Sequence, residues 1–238
     1  RKRKPSKKVE LEQEHKVVDD VEAVPVEEQN IVFKPNEGPQ TEFLASPERE
    51  VLYGGSAGGG KSYAMLADPL RYMNHSQFSG LLLRHTTEEL RELVWKSREL
   101  YPLIYKGIKW SERKMQWEAP SGARLWMSYL DRDDDVLRYQ GLAFSWIGFD
   151  ELTQWATPFA WNYMRSRLRS TAPDLPVYMR ATTNPGGPGH QWVKKMFIDP
   201  APYGKTFDAT NIETGKPLKY PDGHERACKA LFQRRFIP

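Results

Sequence analysis

Eight consecutive residues have the types and spacing of a phosphate-binding loop. They are Gly55, Ser56, Ala57, Gly58, Gly59, Gly60, Lys61 and Ser62. This Gly-x4-Gly-Lys-Ser pattern is typical of P-loops, because glycines let several backbone N–H groups point into one concavity that binds phosphate oxygens. In such a loop Lys61 carries a mobile charge to the β- and γ-phosphates, and the Ser62 hydroxyl is a ligand for Mg²⁺. The pattern predicts a site for ATP or GTP.

A second group of residues could use the bound nucleotide chemically. The mostly apolar run from Phe144 to Phe149 is followed at once by Asp150 and Glu151. In a chain with a P-loop, this pattern predicts a core strand that ends in two carboxylates, where open α/β sheets place their chemistry. We expect Asp150 to hold Mg²⁺ together with Ser62, and Glu151 to orient and deprotonate the attacking water. These residues indicate a hydrolase rather than a nucleotide binder alone.

The elements needed to position these groups can be predicted from periodicity. Glu50 to Tyr53 is typical of a short buried strand before the loop, and Ser62 to Met73 of a helix after it. The N-terminus of that helix would add partial positive charge beneath the phosphates. Further along, the predicted elements are a strand at 80–84, a helix from Thr87 to about Ile104, a hairpin of strands 115–119 and 123–130, a helix at about 158–170, a strand at 177–182, a loop-rich stretch at 203–225 and a strand at 228–237. Strands and helices that alternate in this way predict an α/β fold.

Composition restricts the class of protein. The chain of 238 residues is long enough for one large domain, and its single cysteine, Cys228, excludes an internal disulfide and suits a reducing cytoplasm. Its five histidines are scattered without metal-ligand spacing. No apolar run approaches the ~20 residues of a membrane span, and we expect no signal peptide.

The basic charge of the chain is concentrated at its start. Six of its 35 Lys and Arg residues lie within residues 1–8, so the remaining 29 face 31 acidic residues, a net charge of −2. Any DNA contact of the folded part must therefore be a local patch. Residues 1–30 are charged and predicted to be disordered, and the domain is predicted to span 31–238. The basic run is either a solvated tail or an arm that binds nucleic acid or a partner.

Four further positions are candidates for roles around the nucleotide. Gln40 precedes the P-loop, and its amide offers a donor and an acceptor that suit the edge of adenine. Arg138, just before the predicted catalytic strand, is either an arginine finger that reaches a neighbour's γ-phosphate or a surface residue that balances nearby aspartates. Thr183 and Asn184 follow a strand and precede a glycine-rich turn, so they could sense the γ-phosphate and transmit its loss, or simply end the strand.

Taken in order, these motifs resemble the ATPase domain of the large terminase subunit of tailed bacteriophages, over roughly residues 38–238. The segments that carry the resemblance are Gln40, 54–62, 81–84, 137–141, 146–151, 165–170, 183–185 and 232–238. The resemblance implies a RecA-like P-loop NTPase with a mainly parallel sheet flanked by helices and a β-hairpin insertion. It also implies an ATP- and Mg²⁺-dependent motor that moves double-stranded DNA into a procapsid.

The same resemblance implies partners and residue roles. The partners would be double-stranded DNA, identical subunits in a ring, the portal protein and the small terminase subunit, with the motor in the host cytoplasm and transiently docked on the procapsid. Gln40 would contact adenine, Glu151 would activate water, Arg138 would act in trans, and Thr183 with Asn184 would couple hydrolysis to movement.

The chain departs from the family pattern within the P-loop. Many relatives carry an arginine there, where this chain has Ser56 and Ala57, so the finger is left open between Arg138 and Arg84. The family's nuclease domain, with its acidic metal cluster, lies beyond the ATPase, and we expect no nuclease activity from this chain. The acidic run 133–135 is predicted to be solvated charge.

Two other functions remain as alternatives. A helicase-like motor would need a second RecA-like domain, for which the chain is short. A scaffold that binds ATP without turnover is disfavoured by Glu151 and would be recognised by a multiple-turnover phosphate-release assay.

Overall fold

The computed structural model describes residues 31–55, 58–218 and 232–238. All of these except Ile31 belong to one compact unit, Val32–Pro238. The predicted disordered tail at 1–30, Ser56 and Ala57 of the P-loop, and Cys228 lie outside the described residues. No helix of the described part is both long and apolar enough to cross a membrane.

The predicted α/β alternation is confirmed. The strands are β1 Glu50–Tyr53, β2 Ser79–Arg84, β3 Lys109–Ser111, β4 Gln116–Glu118, β5 Arg124–Tyr129, β6 Trp146–Phe149, β7 Tyr178–Thr182, β8 Thr206–Asp208 and β9 Gln233–Ile237. The α-helices are α1 Pro39–Ala45, α2 Lys61–Ala67, α3 Thr87–Ile104, α4 Phe159–Arg165 and α5 His190–Val193.

The strands form one sheet that is parallel in its centre. Among the described residues its order is β3-β4-β5-β2-β6-β7-β1-β9-β8. The neighbours from β5 to β9 pair in parallel, whereas β3, β4 and β8 add antiparallel edges. Because parallel strands point the same way, the carboxyl ends of β2, β6, β7 and β1 are neighbours at one edge of the sheet. This edge is where the P-loop and the predicted catalytic residues follow their strands.

Helices cover both faces of the sheet. Leu81 and Leu83 of β2 belong to a buried cluster with Trp161 of α4, whereas Leu82 belongs to a second cluster with Met65 of α2. Alternate residues of a strand point to opposite faces, so β2 contributes to two cores. Packing on both faces fixes the sheet, so the distances between the ends of its strands are fixed as well.

Two elements lie where local sequence patterns predict them, helix α3 and the β4–β5 hairpin. Helix α3 has the predicted bounds because Thr86 and Glu89 form a reciprocal capping box, each side chain accepting the other's backbone N–H at 3.3 Å. The predicted hairpin is confirmed as β4 and β5, which pair antiparallel around the turn at 119–123.

Other predicted boundaries are wrong, each for a physical reason. The helix predicted to reach Met73 ends as an α-helix at Ala67 and continues as a 3₁₀-helix, because Pro69 lacks the N–H that an α-helical bond needs. The helix predicted to reach 170 ends at Arg165, because Leu168 forms a bridge with Phe144 instead.

At four further places the strands differ from prediction. The strand that precedes Asp150 starts at Trp146 rather than Phe144. Strand β3 was missed, since it is only three residues long and polar at both ends, and β8 lies within the stretch predicted as loop. Of the strand predicted at 228–237, residues 233–237 form β9, while 228–231 lie outside the described part.

A cluster of buried charges joins β1, β9 and α4 at the amino end of β1, opposite to the end that the P-loop follows. Glu50 of β1 is fully buried and accepts hydrogen bonds from Arg165 at the end of α4 and from Nε of Arg234 on β9, the latter at 2.6 Å. Burial alone would raise the pKa of Glu50, but the attraction and hydrogen bonds of the two guanidinium groups lower it to about 2. The cluster ties the P-loop strand to β9 and α4.

Glu50→Gln is expected to lower the free energy of unfolding by about 3–5 kcal/mol, because it leaves the buried guanidinium of Arg234 and the partly buried one of Arg165 without a carboxylate. Urea unfolding at neutral pH measures the change. Since the folded pKa is depressed, this stabilisation is present above the ordinary pKa of 4.5 and is lost as the pH falls through about 2. Glu99→Gln, at an exposed position of α3, is the matched control. Equal stabilities of the two variants would show that the cluster contributes nothing.

Candidate nucleotide site

The P-loop connects β1 to α2 in a conformation that requires glycine. Gly55, Gly58 and Gly60 have φ values of 97°, 89° and 72°, in the left-handed region that other residues avoid. The backbone N–H of Gly54 donates to the carbonyl of Ile237 on β9 at 2.7 Å. The start of the loop is therefore anchored to the neighbouring strand.

Side chains hold the carbonyls of the loop. The Tyr53 hydroxyl donates to the carbonyl of Gly59 at 2.6 Å, and Nε2 of Gln40 donates to that of Gly60 at 2.8 Å. Nζ of Lys61 donates to the carbonyl of Gly55 at 3.1 Å. Since carbonyls repel phosphate oxygens, donors that engage them leave the N–H groups of the loop to bind anions.

Gln40 is buried against the loop. Its Oε1 accepts the backbone N–H of Asn36 at 2.6 Å, so each end of its amide has one partner within the chain. An amide carries two N–H donors and two lone pairs, so these contacts use one of each. Gln40 is 3% exposed and is not among the residues that line the cleft described below. The adenine contact stays a prediction, and the contact with Gly60 gives Gln40 a loop-positioning role that the sequence did not indicate.

Asp150 follows β6 and is almost fully buried. Its Oδ1 accepts from the Thr182 hydroxyl of β7, and its Oδ2 lies 3.3 Å from Nε of Arg84 at the end of β2. The contacts come from the two strands that flank β6, as the strand order requires. Thr182 was not a predicted site residue, because only the sheet register brings it beside Asp150.

Glu151 has a strained backbone and a tightly held side chain. Its φ of 61° is uncommon for a residue with a Cβ and is costly unless its surroundings hold it. Its N–H donates to the Thr182 hydroxyl at 3.0 Å, and its two carboxylate oxygens accept from Asn184, at 2.7 Å from the side-chain amide and 3.1 Å from the backbone N–H. Asn184 thereby fixes the direction of the carboxylate.

Burial and the neighbouring charge of Asp150 raise the pKa of Glu151, against the opposing effects of Arg84, Asn184 and Lys61. A carboxylate with a raised pKa is a stronger base than an ordinary one, which suits proton abstraction from water. Burial lowers the pKa of Lys61, and the carboxylates of Glu151 and Asp150 oppose this shift.

The side chains of Thr183 and Asn184 have different partners: Asn184 contacts Glu151, whereas Thr183 contacts the helical turn that follows it. The Thr183 hydroxyl donates to Oγ1 of Thr153 at 3.0 Å, in the 3₁₀-helix Leu152–Gln154 that follows Glu151. Beyond it, the N–H of Gly189 donates to the carbonyl of Thr153 at 2.8 Å, and a Cβ at Gly189 would lie 2.1 Å from the carbonyl oxygen of Trp155. The glycine-rich turn is therefore packed directly on the segment that carries Glu151.

These groups meet at a cleft of about 450 Å³. The residues that line it are Gly58, Gly59, Gly60, Lys61, Ser62, Tyr63, Arg84, Glu92, Lys96, Glu151 and Asn184. The structure thus brings together the P-loop, the predicted base and Asn184, as the sequence predicts. Of the two arginines between which the sequence leaves the finger open, Arg84 lines this cleft. Glu92 and Lys96 were not predicted members of the set, because α3 meets the P-loop only through the tertiary fold.

Arg138 lies elsewhere on the surface. It is exposed on the 3₁₀-helix Asp133–Tyr139, donates to the carbonyl of Tyr129 and lies over the Tyr129 ring at 5.6 Å. It is not among the residues that line the cleft of its own chain.

Two aspartates of the acidic run 133–135 make hydrogen bonds within the chain. Asp133 accepts from the Thr157 hydroxyl, and Asp135 accepts the N–H of Arg132 at 3.0 Å.

The cleft suits a divalent cation that is held jointly with a nucleotide. Oδ2 of Asp150 is buried without a hydrogen bond, and it is ion-paired with Arg84, which lines the cleft together with Ser62. Among the described residues no three His, Cys, Asp or Glu side chains form a metal-binding group. Mg²⁺ commonly takes one or two protein oxygens and completes its shell with phosphates and water. Ser62 and Asp150 therefore fit a nucleotide-bound Mg²⁺.

Comparison with known protein families finds a match to large terminase subunits. Residues 52–213 match the model of the large terminase subunit, T4likevirus-type, N-terminal. No curated protein matches the chain. The large terminase of a thermophilic bacteriophage, solved in complex with ADP, is similar with a TM-score of 0.51 and 18% identity, over 66% of this chain and 42% of that one.

A second solved structure resembles more of the chain. The large terminase ATPase domain of Thermus phage P74-26 is similar with a TM-score of 0.51 and 14% identity, over 86% of this chain and 80% of that one. At these identities the likeness establishes the fold, which confirms the predicted RecA-like architecture. The chain spans less than half of the large terminase that was solved with ADP.

Proposed function

Because the chain belongs to the family of large terminase subunits, matching its N-terminal part, we propose that it is the Mg²⁺-dependent ATPase that drives double-stranded DNA into a procapsid. The observation that carries this proposal is the convergence of Lys61, Ser62, Glu151 and Asn184 on one cleft, with Asp150 ion-paired to Arg84, which lines the same cleft. A P-loop alone would support binding, whereas a positioned carboxylate at its γ-phosphate end supports hydrolysis.

Each group has a role that its position supports. The N–H groups of Gly55 to Gly60, including Ser56 and Ala57, cradle the phosphates, and Lys61 neutralises them. We assign the adenine contact to Gln40, through the N–H and the lone pair of its amide that the hydrogen bonds with Asn36 and Gly60 leave unused. Ser62 and Asp150 hold Mg²⁺, which supplies charge neutralisation on the phosphate oxygens.

Glu151 performs the proton transfer. Asn184 and Thr182 hold it from two sides, so its carboxylate is directed before the substrate arrives, and it orients the attacking water and accepts its proton. We assign coupling to Asn184 and Thr183, because the first contacts the base and the second contacts the segment on which the glycine-rich turn packs.

Assembly completes the site. Arg138 is exposed and outside the cleft of its own chain, which supports a role as a finger in the cleft of a neighbour. The proposed partners are therefore a ring of identical subunits and double-stranded DNA, with the portal protein and the small terminase subunit from the family. DNA held through its backbone phosphates would be read with little sequence preference.

The test is ATP turnover with and without procapsids and double-stranded DNA. A packaging motor is expected to hydrolyse faster when both are present than with either alone. Equal rates in all conditions would contradict the motor function, and stimulation by single-stranded DNA with strand separation would indicate the helicase-like alternative.

Lys61→Ala is expected to weaken ATP binding by about ten- to a hundredfold, the usual range for a charge-assisted contact. Equilibrium titration with a fluorescent ATP analogue measures it, and Lys106→Ala, at an exposed position between α3 and β3, is the matched control. Unchanged affinity in the Lys61 variant would mean that the nucleotide binds elsewhere.

A further inference from the structure

Arg84 is a charged residue that lines the cleft and has no role in the mechanism proposed above. It is the last residue of β2, is 9% exposed and lines the same cleft as Lys61 and Glu151. Its backbone carbonyl accepts the N–H of Leu130, and its strand is paired on both sides. The position of Arg84 is therefore set by the centre of the sheet.

The Arg84 guanidinium is only partly used by its own chain. Nε lies 3.3 Å from Oδ2 of Asp150, and both Nε and Nη1 are buried without a hydrogen bond. A buried N–H of a charged group that makes no hydrogen bond costs free energy, so in a folded protein it calls for an explanation. A guanidinium presents its donors as a rigid fork, so the edge that faces Asp150 leaves other N–H groups for a second anion.

The charges at this end of the cleft favour a second basic side chain in addition to Lys61 and the proposed Mg²⁺. Its sequence from Gly54 to Ser62 holds one basic residue, Lys61, while Asp150 and Glu151 bring two carboxylates to the same end of the cleft. A γ-phosphate placed there adds further negative charge, which phosphoryl-transfer sites balance with cations fixed in advance. Lys96 is a weaker candidate, because it is already paired with Glu92 at 2.5 Å.

We propose that Arg84 is a γ-phosphate contact made in cis, with Asp150 holding the guanidinium so that its free N–H groups meet the terminal phosphate. The inference rests on the proposed function and adds a residue that distinguishes ATP from ADP. A trans finger must project from its own surface, whereas Arg84 is buried in its own cleft and Arg138 is exposed. The sequence leaves the finger open between these two arginines. In this proposal Arg138 is the finger in trans and Arg84 contacts the γ-phosphate in cis.

The experiment compares two affinities in the same variant. The Kd values for Mg²⁺–AMP-PNP and Mg²⁺–ADP are measured by calorimetry at chain concentrations that sedimentation shows to be monomeric. Arg84→Ala is expected to weaken AMP-PNP binding by about tenfold or more and ADP binding far less, since ADP lacks the contacted group. Arg84→Lys keeps a charge beside Asp150 but not the fork, so it should fold normally and still lose most of the preference for AMP-PNP.

Arg91→Ala, at an exposed position on α3, is the control and should leave both affinities of the monomer unchanged. Equal weakening of AMP-PNP and ADP in the Arg84 variants would mean that Arg84 only supports Asp150, and unchanged affinities would mean that it makes no phosphate contact. Either result overturns the inference while the proposed function stands. A wild-type chain that binds neither nucleotide would overturn both.

Discussion

Glu151→Gln is expected to bind ATP as the wild type does and to hydrolyse it ~10²- to 10⁴-fold more slowly, the usual contribution of a general base. Glutamine has nearly the same shape, so it can keep a hydrogen bond to Asn184 and the contact of its backbone with Thr182. It cannot accept a proton from water. The substitution therefore separates proton transfer from binding, in contrast to Lys61→Ala.

The measurement is single-turnover phosphate release, paired with a nucleotide titration on the same sample. Glu88→Gln, at an exposed position in the first turn of α3, is the control and should leave both values unchanged. Hydrolysis at the native rate by the Glu151 variant would show that another group is the base.

Arg138→Ala is expected to leave the nucleotide affinity of the monomer nearly unchanged and to remove the stimulation of ATP turnover by subunit concentration. A finger supplied in trans contributes ~10³- to 10⁵-fold to the rate, and a dilute monomer lacks it. The wild-type rate per subunit should therefore rise as the chain is concentrated, and the rate of the variant should not. Arg113→Ala, at an exposed position between β3 and β4, is the matched control and should retain the rise.

A mixture of two inactive variants tests the trans geometry. In rings assembled from Arg138→Ala and Glu151→Gln subunits, some interfaces join an intact Glu151 to an intact Arg138, so partial activity should return. If the mixture stays as inactive as either parent although rings form, Arg138 does not act across the interface.

The sequence predicted those parts of the molecule whose signals are local. The P-loop, the capped helix α3 and the β4–β5 hairpin each depend on residues a few positions apart, and all lie where predicted. Predictions of element ends were wrong where a distant contact decides the outcome, as when Leu168 bridges Phe144 and shortens α4. Pairing across the sheet adds free energy that a local propensity does not contain.

The same distinction applies to the site. Lys61, Ser62, Asp150 and Glu151 could be found from spacing, because each follows directly on a strand or loop with a recognisable pattern. The contacts of Thr182 and Arg84 with Asp150 follow from the order of β2, β6 and β7, which no local pattern reveals. For the same reason the Glu50 cluster was not predicted, since its three members are brought together only by the packing of β1, β9 and α4.

The central claim is that this cleft hydrolyses ATP repeatedly rather than holding it. The most direct measurement is multiple-turnover phosphate release by the wild-type chain with excess ATP and Mg²⁺, at a concentration where the nucleotide is shown to bind and subunits associate. The account predicts many phosphates released per subunit, with the release abolished by Glu151→Gln. Release of at most one phosphate per subunit, with the nucleotide bound, would contradict it and identify a nucleotide-binding scaffold.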